Sequence, residues 1–144
     1  MMRYLSINTT NHTMIVNAGG IGAVLAAMMA HPNVAGLQLQ CFAALSLLAE
    51  DDGNATAIAA AGGIPVVLSA MTAHAGDAEV QEQGCLALDN IGWSDTLMQR
   101  RIKDEGGAVV VQAAVAALGA TALCKEIGQE LLGKLSHIVD DLFF

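Results

Sequence analysis

Three cysteines, four histidines and the runs of adjacent acids are the side chains here with the most chemical reach. Cys41, Cys85 and Cys124 form no CxxC pair and have no neighbouring histidine, so the sequence encodes neither a zinc-ligand spacing nor a disulfide-exchange motif. An odd count without a visible secretory signal predicts reduced thiols packed as small hydrophobes. His31 and His74 occupy equivalent places at the end of a helix, where an imidazole can bond open carbonyls and complement the dipole. His12 and His137 stand alone, and no HxxxH or HExxH is present. Glu50-Asp51-Asp52 and Asp140-Asp141 are adjacent acids, whereas general acid–base catalysis needs carboxyls facing each other across a cleft. The glycine pairs lack GxGxxG and Gly-Lys-Ser/Thr, so they are not phosphate loops. The expectation is a protein without catalytic residues, cofactor or metal.

What the sequence does contain is repetition. Ala18-Gly19-Gly20-Ile21 returns 43 residues later as Ala61-Gly62-Gly63-Ile64. About twenty residues after each pair comes a second related segment, Leu37 to Leu45 and then Val80 to Leu88. A weaker third copy begins at Glu105-Gly106-Gly107-Ala108 and reaches Cys124 to Gly128. A period near ~40–47 residues in an all-helical pattern indicates stacked helical repeats, an architecture used mostly for binding surfaces.

Each repeat reads as three helices. A short first helix from Asn54 to Ala60 starts at an asparagine suited to capping and ends at the glycine pair, which supplies a left-handed turn. A second runs from Ile64 to Ala73, with Pro65 in its first turn where a missing N–H is tolerated. A third and longer one runs from about Ala78 to Gly92. Its apolar stripe is Val80, Gly84, Ala87, Leu88 and Ile91, with Glu79, Glu82, Leu86, Asp89 and Asn90 on other faces. Gly84 in mid-helix predicts a close helix crossing, and Gly128 and Cys41 hold the matching places. The third repeat starts 44 residues after the second, which places one extra residue between Ile91 and Gly106. Asn11, Ile15 and Ala18 align with Asn54, Ile58 and Ala61, so Met1 to Ile7 reads as the last turns of a third helix from a preceding repeat. The expected divisions are 1–17 as a partial repeat or cap, then repeats at 18–60, 61–104 and 105–144.

Composition narrows the partner. Hydrophobic residues make up 54% and aromatics only 3%, so the interior is predicted to be built on alanine and aliphatic side chains that let helices approach closely. A net charge of −8 argues against nucleic acid, which needs clustered Lys and Arg. The one basic cluster, Arg100-Arg101-Lys103, runs straight into Asp104-Glu105 and reads as a solvated helix face. The most apolar run, Ala108 to Ala122, falls short of the ~18 residues of a membrane span. No membrane partner is therefore expected, and the cytoplasm or nucleus is the expected location.

The segments Ala61-Gly62-Gly63-Ile64-Pro65 and Val80-Gln81-Glu82-Gln83-Gly84-Cys85-Leu86-Ala87-Leu88-Asp89-Asn90-Ile91 resemble the armadillo repeat, and the resemblance spans essentially the whole chain. It implies an all-α, right-handed superhelix of three-helix units whose third helices line a concave groove for extended peptides. In peptide-binding members an asparagine on each third helix bonds the peptide backbone, because an amide both donates and accepts. In importin-like members a tryptophan one turn earlier forms pockets for basic side chains. Here the asparagine place holds Leu47, Asn90 and Lys134, and the tryptophan place holds Ala43, Leu86 and Glu130. That pattern departs from a nuclear-import receptor. Trp93, three residues beyond Asn90, is expected near the same groove or packed on the next repeat's first helix.

The sequence thus predicts a protein-interaction module that takes a protein or extended peptide, basic or mixed in charge. Its groove would be lined by Gln40, Ala43, Leu47, Glu82, Gln83, Leu86, Asn90, Trp93, Glu126, Glu130 and Lys134. Two alternatives stand beside it: a regulatory or scaffold segment of a larger protein, and self-association through open repeat ends.

Overall fold

In the computed structural model of the chain, residues 19–93 and 95–138 are described, and they contain eight α-helices and no strand. In chain order the helices are α1 (Gly20–Ala30), α2 (Ala35–Leu48), α3 (Asp52–Ala60), α4 (Gly63–Ala73), α5 (Ala78–Ile91), α6 (Thr96–Asp104), α7 (Gly107–Ala116) and α8 (Ala122–Ser136). The expected N-terminal partial repeat, His12 and Asp140-Asp141 lie outside the described residues.

The glycine pairs divide two jobs. Gly62 takes φ 86° and Gly106 φ 89°, left-handed values that cost other residues about 1–2 kcal/mol. The second glycine keeps ordinary dihedrals but has no room for a side chain. A Cβ on Gly63 would meet the Ile58 carbonyl oxygen at 2.8 Å, and one on Gly107 the Ile102 carbonyl oxygen at 2.7 Å. The pair therefore turns the chain sharply, with a bend of 75° between α3 and α4.

Caps set the other boundaries. Asp51, not Asn54, caps α3: its Oδ1 accepts from the Asn54 N–H at 3.0 Å, and Asn54 itself is buried. Asp77, Asp95 and Thr121 cap α5, α6 and α8 in the same way. The carbonyls that end the second-type helices go to glutamines rather than histidines. Gln38 Nε2 donates to the carbonyls of Met28 (3.2 Å) and His31 (2.9 Å), and Gln81 Nε2 donates to those of Met71 (2.9 Å) and His74 (2.8 Å). The His74 ring instead reaches the Pro32 carbonyl in the preceding repeat, at 2.7 Å. In the third repeat Leu118 and Lys125 replace the histidine and the glutamine, and α7 stops at Ala116 with Ala117 extended.

Helices pack on their equivalents: α1 on α4 and α4 on α7, α2 on α5 and α5 on α8, α3 on α6. One apolar cluster runs through all three layers, with Phe42, Leu45, Ile58, Ile64, Leu88, Ile91, Ile102, Ile127 and Leu131 fully buried. Each such side chain contributes roughly 1.5–3 kcal/mol of burial. Gly84 and Gly128 lie where the third-type helix crosses its own second helix. A Cβ on Gly84 would stand 2.5 Å from Met71 Cγ, and one on Gly128 would overlap Val115. All three cysteines are buried and free. Burial pushes each thiol above its ordinary value, which leaves them weak nucleophiles. The basic cluster is not simply solvated. Arg101 Nη2 donates to the Ala59 carbonyl of α3 at 3.3 Å, and Lys103 Nζ to the Ile138 carbonyl at 2.8 Å.

Candidate interaction surface

The third-type helices α2, α5 and α8 lie side by side, so the residues off their buried stripes form one continuous face. Its first half lies over α2 and α5. Gln40, Ala43 and Leu47 are exposed on α2, and Glu82, Gln83 and Leu86 are half-buried on α5. Between them is a depression of about 320 Å³ lined by Leu39, Gln40, Ala43, Glu79, Glu82 and Gln83. Four of these six belong to the groove expected from sequence. Leu39 and Glu79 do not, although both lie on the same helices, α2 and α5.

Glu82 is held in place at this depression. Its Oε1 accepts from Thr121 Oγ1 of the next repeat at 2.7 Å, and its Oε2 from Gln83 Nε2 at 3.3 Å. Both carboxylate oxygens are thus held by side chains, while Glu79 is exposed. Two carboxylates and two side-chain amides beside Leu39 and Ala43 suit an extended segment with a basic side chain.

Asn90 is placed differently from a free amide on a groove. It is buried, and its Nδ2 donates to the Ser46 carbonyl of α2 at 2.9 Å. The equivalent contact one repeat on pairs Lys134 with Asp89. Lys134 Nζ is 2.9 Å from Asp89 Oδ1 and 3.8 Å from Glu130 Oε1. It also lies 4.3 Å above the centre of the Trp93 ring. Asp89 is 0% exposed and its Oδ2 makes no hydrogen bond. Burial raises the Asp89 carboxyl above its ordinary value, and the nearby Lys134 ammonium pulls the other way without offsetting it. Glu126 is exposed and Glu130 half-buried on α8, so they complete the face at this end.

Trp93 owes its place to an insertion. Three residues separate Ile91 from the Asp95 cap, where only two separate Leu48 from the Asp51 cap. The extra residue inferred from the spacing therefore lies in that loop. There the indole stacks with Lys134 on the next third-type helix. The two contacts occupy matching places: Ser46 and Asp89 are equivalent across repeats, as are Asn90 and Lys134.

Among the described residues, no three His, Cys, Asp or Glu side chains gather as metal ligands, and no single helix is long and apolar enough to cross a membrane. Compared with known proteins, the chain matches no family model, no curated protein and no solved structure.

Proposed function

We propose that the chain is a non-catalytic protein-interaction module of armadillo type, a right-handed solenoid of three-helix repeats. It holds an extended basic segment of a partner protein along the face of α2, α5 and α8. The depression between α2 and α5 carries this reading, because Glu79 and Glu82 line it together with Leu39, Ala43 and the amides of Gln40 and Gln83. The net charge of −8 adds a long-range pull on a basic partner.

The test is fluorescence anisotropy with a labelled extended peptide of alternating lysine and alanine, against a glutamate–alanine counterpart. The lysine peptide binds, and raising the salt weakens it because exposed charges are screened. The Glu79→Gln/Glu82→Gln double variant binds it about 5–10-fold more weakly, the worth of two partly solvated charges. Equal binding of both peptides, or an unchanged affinity in the double variant, contradicts the proposal.

A second reading, self-association through the last repeat, is favoured by the exposure of Val109 on α7 and of Leu118 just beyond it. Light scattering distinguishes it: a mass that grows with concentration supports it, and a constant monomer mass excludes it.

A further inference from the structure

The Lys134 cluster has more parts than a tie between two helices requires. At the same level of the preceding junction, one neutral hydrogen bond from Asn90 to the Ser46 carbonyl suffices. Here a fully buried carboxylate, a second carboxylate and an indole face converge on one ammonium. An indole face attracts a cation through its quadrupole, and carboxylates fix the ammonium's N–H groups. Asp89 forms the floor, closed to solvent, with Oδ2 making no hydrogen bond. Lys134 reaches in from the neighbouring helix on a flexible four-carbon stem, and its side chain stays 21% exposed. Asp89 and Trp93 belong to α5 and the loop that follows it, whereas the cation comes from α8.

We propose that Asp89, Glu130 and Trp93 form a receptor for a primary alkylammonium, filled in the free chain by its own Lys134 as an internal stand-in. A lysine side chain of a bound partner engages this site by displacing Lys134. The displacement step rests on the basic-partner reading above, but the receptor itself can be tested with a small probe and no peptide.

Trp93 is the only tryptophan, so its emission reports this site alone. The experiment titrates n-butylammonium chloride into the full chain and its Lys134→Ala variant, with sodium chloride at matched ionic strength and n-butanol as controls. In Lys134→Ala the amine gives a saturable change in Trp93 emission and raises the melting temperature, and neither control does. Wild type requires about tenfold more amine, because Lys134 already occupies the site. Adding Asp89→Asn to Lys134→Ala abolishes the response. If Lys134→Ala is unfolded in plain buffer, n-butylammonium restores a cooperative melt and sodium chloride does not. Absence of a saturable response in folded Lys134→Ala overturns the proposal. So does an equal response in wild type, persistence of the response with Asp89→Asn, or failure of the amine to restore an unfolded variant. Failure of the lysine peptide to sense Glu79 and Glu82 would contradict the groove reading instead, and would leave the amine titration unaffected.

Discussion

At the α2–α5 junction the Asn90 amide donates to the Ser46 carbonyl; one repeat further, at α5–α8, the Lys134 ammonium donates to the Asp89 carboxylate. The positions are equivalent and both bonds are 2.9 Å long, yet the chemistry differs. The Asn90 bond ends on a backbone oxygen, so it survives any change of side chain at position 46 and carries no charge. The Lys134 bond needs both side chains and keeps a carboxylate out of water. A neutral tie is cheap to keep and mild to lose, whereas a buried ion pair is costly to break on one side alone. One fold thus holds a neutral junction between α2 and α5 and a charged one between α5 and α8.

The largest effect expected from this contrast comes from Lys134→Ala, which leaves Asp89 buried without its cation. Urea denaturation is expected to show a loss of about 3 kcal/mol. The double variant Asp89→Asn/Lys134→Met should recover most of it, since the charge then leaves along with its partner. A double variant as weak as the single one would erase the distinction between the junctions.

Next in size come the helix crossings beneath the two junctions. Gly128→Ala drives a Cβ into Val115, whose branched side chain has few rotamers, and about 2–3 kcal/mol is expected to be lost. Gly84→Ala meets Met71, an unbranched side chain that can move, and about 1–2 kcal/mol is expected. Equal melting temperatures for the two variants would show that neighbour stiffness does not decide the cost.

Breaking the neutral tie ranks third. Asn90→Ala leaves the Ser46 carbonyl without that donor, and about 1 kcal/mol is expected to be lost in the same urea experiment.

The smallest difference lies in pH dependence. Burial holds the folded-state Asp89 carboxyl above its ordinary value, with Lys134 opposing the rise and Glu130 reinforcing it. The folded chain therefore binds this proton more tightly than the unfolded chain. Its contribution to stability is fully present below the unfolded value and is lost as pH rises through the folded one. Lowering the pH from 7 toward 5 should raise the melting temperature of wild type relative to Asp89→Asn. A gap that stays constant, or runs the opposite way, would mean that Lys134 outweighs desolvation.

How far these features could be read from the sequence depended on how local they are. The three-helix units and their glycine turns were legible because a left-handed residue and a missing Cβ act within a few positions. Gly63 needs space only from Ile58, five residues earlier. Asp51 displaced Asn54 as the cap of α3 because both have capping side chains, and three positions separate the cap from a residue already buried inside the helix. Gln38 and Gln81 escaped notice because their amides bond carbonyls seven and ten residues away, across a turn. Arg101 read as solvated because its acceptor, Ala59, lies 42 residues back in the stacked first-type helix. Four residues that line the depression, Gln40, Ala43, Glu82 and Gln83, were legible from their places on the third-type helices. The roles of Asn90 and Lys134 were not, since their partners belong to the preceding third-type helix.

The most direct test of the proposed interaction face is amide chemical-shift mapping of the labelled 14.8 kDa chain with the lysine–alanine peptide. The account predicts that saturable shifts concentrate at Gln40, Ala43, Leu47, Glu79, Glu82, Gln83 and Leu86 and extend to Trp93, Glu130 and Lys134, with the exposed side of α1, α4 and α7 unmoved. Shifts centred on α1, α4 and α7, or none at saturating peptide, would contradict it.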